Sequence, residues 1–440
     1  MKVLLAILLN AGLLALLLPW LRRQWRSLGA SGAWRVVFGL ALGLRVVVGV
    51  VRNWHPQADA AFMSFVGHLV TAKLWLHPAQ AWDVLTRAVT VFPKGNDPND
   101  FVFQNTSNTW ILVKVLAVLN LASLEIDRLN ALYLSLFAFV GCWMLAQALA
   151  RAFPDTPAWA GIVAFLLWPT VWFWATGISK EAVLLGSGAW LTARVIEACY
   201  GPARRGWAWA AWLPGTVGLA LVHLGMRYFF AVPLLGVLAG VALMQLLRRT
   251  GLVRHRKGQA LVLAAVLGGG IWVVPQLGPA FSLNKFTNQV VTVYAFDVAH
   301  SVGRPHFEYP HLRPTGASIA AHAPLAVANT LTRPWLGESW QPLYVAAALE
   351  NVGLLLLLGL AAWAVVRGRP GRLPFGLTAS LLVFCLVLAF LIGITTPNLG
   401  SLNRYRSGLL PYLLLLLLQN DYAAAAFRRL GSGPANRGQP

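Results

Sequence analysis

Residues able to move a group off a phosphate stand at the edges of long apolar runs in this sequence. Asp59, in HPQADAAFMSFVGHLVTAKLW, offers a carboxylate that could take a proton from a hydroxyl. Lys180 and Glu181, in WPTVWFWATGISKEAVLL, open an apolar helix in a chain where only 11% of residues are charged. Ionisable side chains beside hydrocarbon are expensive unless a partner or ligand uses them. These two pair with each other, stay solvated at the interface, or serve a ligand. Arg404 and Arg406 flank Tyr405 in TTPNLGSLNRYRSGLLPY, and the planar fork of arginine donates to phosphate oxygens in pairs. The rival reading of both is ordinary anchoring. Arg227, in HLGMRYFF, adds a further cation beside His223.

Three more positions belong with these. Arg45 lies inside an apolar run, where it needs a carboxylate, an anionic ligand or a route to the surface. In RPWLGESW, Arg333 and Glu338 suit an ordered turn that grips a sugar or phosphate. Glu350, further on, needs a partner, for which Arg45, Arg227 and Arg404 are candidates. The histidines of HFEYPHLRP match no metal-ligand spacing, so no cofactor is expected, and a divalent metal has no support. There is no Walker motif, dinucleotide fingerprint or nucleophile elbow.

The elements that must position these residues are membrane helices. Of 440 residues, 58% are hydrophobic, which places the chain among polytopic membrane proteins. Its +21 charge would point to nucleic acid in a soluble protein; here it falls in short clusters between apolar runs and reads as topology signal, with no nucleic-acid partner. Eleven runs can cross the membrane, near 3–20, 34–51, 129–150, 157–174, 181–199, 207–224, 228–247, 259–276, 343–366, 374–394 and 407–426. Residues 1–20 are expected to be a retained helix, not a signal peptide. The basic loops all fall on one side if 108–124 lies along the surface instead of spanning. The expected fold is therefore all-α, one transmembrane domain over residues 1–440, with a disordered 431–440 tail. Two large outer loops, 52–128 and 277–342, carry interfacial helices. On that topology eight of nine histidines and ten of fourteen acids lie on or next to the outer face, so the chemistry belongs there. His55, Asp97 and Asp100 are among them.

This pattern resembles the polytopic GT-C glycosyltransferases that use polyprenyl-phosphate sugars. The resemblance covers roughly 34–250. It rests on Arg45 before the first outer loop, Asp59 soon after, surface helices in that loop, and the proline-aromatic turn from Pro169 to Glu181. It implies that Asp59 acts as base or orients the acceptor and that Lys180 and Glu181 share its cavity. Asp59 is followed by Ala60 and the second loop offers Ser-Lys-Glu, so the paired acids of metal-using members are absent. Catalysis is accordingly expected from Asp59 and Glu181, and substrate binding from Arg45, Lys180, Arg227, Arg333, Glu338, Arg404 and Arg406. The expected function is transfer of a sugar from a polyprenyl-phosphate donor to a glycan or lipid acceptor, at the periplasmic face of a bacterial inner membrane. Two alternatives are a polysaccharide polymerase or ligase acting on pyrophosphate-linked oligosaccharides, leaning on Arg404 with Arg406 or Arg333, and a non-enzymatic transporter of lipid-linked glycans.

Overall fold

The computed structural model describes residues 1–28, 32–54, 56–86, 90–91, 102–103, 108–202, 206–273, 276 and 282–429. His55, Asp97, Asp100, Arg204, Arg205 and the 431–440 tail lie outside them. The helices are α1 (Lys2–Ser27), α2 (Gly32–Arg52), α3 (Ala58–Leu76), α4 (Ala81–Thr86), α5 (Asn108–Ser123), α6 (Asp127–Ala152), α7 (Ala158–Ile162), α8 (Pro169–Trp174), α9 (Lys180–Tyr200), α10 (Trp207–Met226), α11 (Tyr228–Arg249), α12 (Arg256–Val273), α13 (Leu283–Ala299), α14 (Gly316–Thr332), α15 (Pro342–Val366), α16 (Phe375–Thr395), α17 (Leu399–Arg406), α18 (Leu410–Leu418) and α19 (Asp421–Arg429). A two-residue antiparallel pairing, Thr90–Val91 with Val102–Phe103, is the exception to helix among the described residues.

Among the described residues eight helices, α1, α2, α6, α9, α10, α11, α15 and α16, are long and apolar enough to cross a membrane, so the chain is a membrane-embedded, polytopic helical protein. Three of the eleven expected runs depart from a straight crossing. The 157–174 run is broken into α7, a π turn at Val163–Leu167, and α8. Pro169 supplies no N–H and Trp168 turns extended before it, so the helix cannot continue through them. The last run bends by 86° between α18 and α19. The run near 259–276 forms α12, whose first turn spends Arg256 and Lys257 on a short helix that falls below the apolarity of the other eight.

Contacts sort the connections into two opposite ends. At one end Arg372 approaches Asp155, Arg249 donates to the Cys199 carbonyl, and Leu373 N–H donates to Gln419. At the other end gather the turns after α2, α8, α10 and α16. The helix α5 belongs wholly to this second end. Its first turn meets Lys180 through Thr109, and its last turn meets the first turn of α6 through Asn120 and Asn130. Both contacts are with helix starts, so α5 lies across the end of the bundle rather than through it. The second large loop is less peripheral than expected. Thr330 of α14 donates to the Ala389 carbonyl of α16, and Ala326 abuts Gly393, so α14 packs back into the bundle.

The centre is the parallel pair α6 and α9. Gly141 and Gly186 face one another at the crossing, and a Cβ on Gly141 would collide with the Gly186 carbonyl. Small residues replace a hydrophobic driving force here, because lipid is as apolar as the helix surface and close packing must hold the pair. Phe38, Phe139 and Trp143 pack edge-to-face and stacked beside it, fixing α2 to α6.

Two outcomes follow. In a background with Cys199 replaced by alanine, His77→Cys and Glu125→Cys, which flank α5, should label with a membrane-impermeant maleimide from the same face; labelling from opposite faces would mean that α5 crosses. Gly141→Val should cost about 1–3 kcal/mol by overpacking, read as a lowered thermal midpoint in detergent, and an unchanged midpoint would show that the α6–α9 contact is loose.

Candidate functional site

The site is assembled by three short turns at the second end of the bundle. Between α8 and α9, Gly177 takes φ +67 and its N–H donates to Ser135 Oγ at 2.9 Å. That left-handed backbone suits glycine, and Gly49 of α2 packs directly against it. Ser179 then caps α9, accepting from Ala182 N–H at 3.1 Å. The cap orients the first turn of α9, which carries Lys180 and Glu181. Asp59 lies in the first turn of α3, where the helix dipole favours a carboxylate. Asn398 caps α17 by accepting from Gly400 and Ser401 N–H groups, at 3.0 and 3.1 Å. A strap from the second loop holds that cap in place. Asn398 donates to Ser301 Oγ at 3.0 Å, and its N–H donates to Asp297 at 3.3 Å. Burial pushes the Asp297 carboxyl above the usual range, against the pull of the Asn398 N–H and nearby histidines. Arg404 and Arg406 occupy the last turn of α17, where cations complement the dipole.

These turns bring five of the expected residues together. Glu181 is 4% exposed, and its carboxylate lies 3.0 Å from Arg227 Nη2 and 3.0 Å from Arg404 Nε. Arg404 Nη1 donates to Asp59 Oδ2 at 3.0 Å. Arg404 thus bridges a buried acid and one that is 69% exposed. Burial disfavours its charge, but the Glu181 and Asp59 carboxylates outweigh that and raise its pKa above the ordinary arginine value. The Arg227 guanidinium sits 3.9 Å over the Tyr405 ring. Lys180 Nζ donates to Thr109 Oγ1 at 2.8 Å and lies within electrostatic reach of Arg227, Glu181, Arg404 and Asp59.

A sixth residue, Arg52, joins them without having been singled out in the sequence. It donates to the carbonyls of Phe173 at 2.5 Å and Thr176 at 3.3 Å, stacks over the rings of Phe173 and Trp174, and is within electrostatic reach of Arg404 and Glu181. Its signal was a cation just beyond the 34–51 run on the side otherwise poor in cations, which the spacing alone could not tell from an anchor. Arg52, Asp59 and Arg404 line one narrow cleft with Thr176 and Ser179. Its free volume, about 20 Å³, holds water and nothing larger, so a bigger ligand meets the cluster at the mouth, where Asp59 is exposed. Four cations (Arg52, Lys180, Arg227, Arg404) here face two carboxylates (Asp59, Glu181), an excess of positive charge that invites an anion.

The other expected residues lie elsewhere. Arg45 is fully buried and donates to the carbonyls of Ala175 at 2.7 Å and Phe165 at 2.9 Å. The expectation of a carboxylate or ligand is corrected: the break between α7 and α8 frees the Phe165 carbonyl, the end of α8 frees that of Ala175, and Arg45 donates to both. Arg406 points away from Arg404, donating to the Arg333 carbonyl at 2.5 Å and to Asn351 Oδ1 at 2.8 Å. Burial lowers its pKa to about 10, with Glu350 acting the other way. Arg404 and Arg406 are two positions apart on one helix and so face different sides; they do not form a shared clamp. Arg333 and Glu338 form the ordered turn expected of them, paired at 2.6 Å, with Trp335 N–H donating to Glu338 at 2.7 Å. They serve each other and stand apart from the cluster. Glu350 takes none of its three expected partners and accepts from Thr170 N–H at 3.1 Å and Thr170 Oγ1 at 2.9 Å. Among the described residues, no three His, Cys, Asp or Glu side chains converge as metal ligands would.

Because Glu181 is the buried counterion of two arginines, Glu181→Gln should destabilise the fold by about 3–5 kcal/mol, the cost of stranding buried charge. Asp59→Asn, at the exposed end of the same chain of charges, should cost under about 1 kcal/mol. Thermal unfolding of the two variants in detergent checks the ordering; equal losses would show that burial does not govern the cluster.

No family model matches the chain, and neither a curated protein nor a solved structure matches it.

Proposed function

We propose that the protein transfers a glycosyl unit from a polyprenyl-phosphate donor to a glycan or lipid acceptor, in the manner of the GT-C enzymes. The observation that carries this reading is the cation excess around Glu181 and Asp59, set at one end of an apolar bundle. A lipid-linked phosphate is the anion with natural access to that place, since its chain stays in the hydrocarbon while its headgroup reaches the interface. Arg404, Arg227, Arg52 and Lys180 supply preoriented positive charge where the leaving phosphate develops its own, and such charge counts for more beside hydrocarbon than in water. Asp59, paired with Arg404 and open to solvent, takes the proton from the acceptor hydroxyl. Glu181 holds Arg227 and Arg404 apart at fixed positions and is a positioning residue in this scheme. The basic loops at the opposite end favour a cytoplasmic location for that end, which turns the cluster towards the periplasm of a bacterial inner membrane.

The polymerase reading called for Arg404 acting with Arg406 or Arg333, and those guanidiniums are engaged with different partners. The transporter reading called for a polar route through the bundle; below Glu181, α9 buries Val183, Leu184 and Leu185, and its next buried polar side chains, Ser187 and Thr192, are engaged with His223 and Tyr412.

Vesicles containing the protein and a radiolabelled polyprenyl-phosphate sugar should form labelled acceptor product. Asp59→Asn should lower the rate about 10²–10⁴-fold, as loss of a general base does, with donor binding retained. Arg404→Ala should weaken donor binding as well as turnover. A fully active Asp59→Asn variant would remove that residue from catalysis, and absence of transfer from every lipid-linked donor would remove the transferase reading.

A further inference from the structure

Beside the cationic cluster, between α8, the first turns of α15 and α17, lies a second and much larger cleft of about 710 Å³. That is the size of cavities that enclose a small organic ligand. Its walls are apolar, with Trp168, Trp172, Phe173 and Trp174 on one side and Tyr344 among aliphatic side chains of α15 on the other. Its floor is polar, formed by Glu350, Thr170 and Asn403. Behind that floor Arg406 packs against Trp168, Glu350 and Asn403 with no space for a water between them. Arg406 is 2% exposed, and its Nε has no hydrogen-bond partner. The helix α17 divides the two clefts, sending Arg404 to the narrow one and Asn403 to the wide one.

We infer that the wide cleft binds a neutral, hydroxyl-rich sugar unit, with its ring against the tryptophan faces and its hydroxyls on Glu350, Thr170 and Asn403. The inference rests on the transferase reading and deepens it, since the unit bound there belongs to the acceptor. The floor selects the class of ligand. A hydroxyl donates and accepts, so neighbouring hydroxyls can serve the Glu350 carboxylate and the Asn403 amide together. An isoprenoid or acyl chain does neither and would cover these polar groups with hydrocarbon, which is costly. A phosphate placed on this floor would meet the Glu350 carboxylate, whereas the neighbouring cleft offers it an excess of cations. Indole and phenol rings present electron-rich faces that attract the polarised C–H bonds of a pyranose.

The test uses the full chain in nanodiscs free of glycolipid and of sugar-based detergent. Methyl glycosides of glucose, galactose, mannose and N-acetylglucosamine are screened by saturation-transfer NMR. At least one should bind, with transfer strongest at its ring C–H protons. Trp172→Ala and Glu350→Gln should each weaken that binding by about tenfold or more, while Arg372→Ala, exposed at the opposite end of the bundle, keeps it. If either variant unfolds, Trp172→Phe and Glu350→Asp serve instead, with thermal unfolding as the control and a graded loss as the expected result. No binding of any glycoside overturns the inference, as does binding indifferent to these substitutions. Farnesol held in a Trp172-dependent manner, with every glycoside excluded, overturns it in favour of a lipid chain. Glycoside binding without transfer from any lipid-linked donor would sink the transferase reading and leave the sugar cleft standing; transfer without glycoside binding would do the reverse.

Discussion

The Glu181 carboxylate, buried between two arginines, is the constraint on which this end of the molecule depends. A lone carboxylate at that depth would be too costly to keep ionised, and Arg227 and Arg404 would repel one another without it. Held together, the three tie the starts of α9 and α11 to the end of α17, elements far apart in the chain. Asp59 attaches the first loop to the same centre through the outer face of Arg404. The result is graded from inside to outside: a buried acid that organises, a bridging guanidinium, and an exposed acid that is free to react.

Breaks in regular helix make this arrangement possible. The interruption at Trp168 and Pro169 releases the Phe165 carbonyl and the end of α8 releases that of Ala175, and Arg45 reaches both from α2. Arg52, two turns on, does the same for the carbonyls at the end of α8. One face of α2 therefore carries two arginines with related duties, of which the outer one also borders the cationic cleft. The short α17 has a comparable double role. Its cap is strapped to the second loop, and its side chains divide a narrow cationic cleft from a wide aromatic one. Donor phosphate on one side of that helix and acceptor sugar on the other would give a transferase two subsites of opposite character sharing a wall.

Much of this was legible in the chain alone, because it depends on local rules. Apolar runs of the right length announce membrane helices, and the clustering of acids and histidines marks the end where polar chemistry collects. The gathering of Asp59, Lys180, Glu181, Arg227 and Arg404 agrees with that marking. Side-chain direction and long-range pairing were not legible. Arg404 and Arg406 look equivalent in NRYR, yet their angular offset on a helix sends one to Glu181 and the other to Asn351. Arg45 and Glu350 each needed a partner, and the partners proved to be backbone carbonyls and Thr170, exposed by a helix break whose consequences no pattern of residue types records. Hydrophobic periodicity reports which face of an element is buried, while the identity of the group across from it depends on how distant elements cross; that is why the membrane bundle could be read from the amino acids and the wiring of its charges could not.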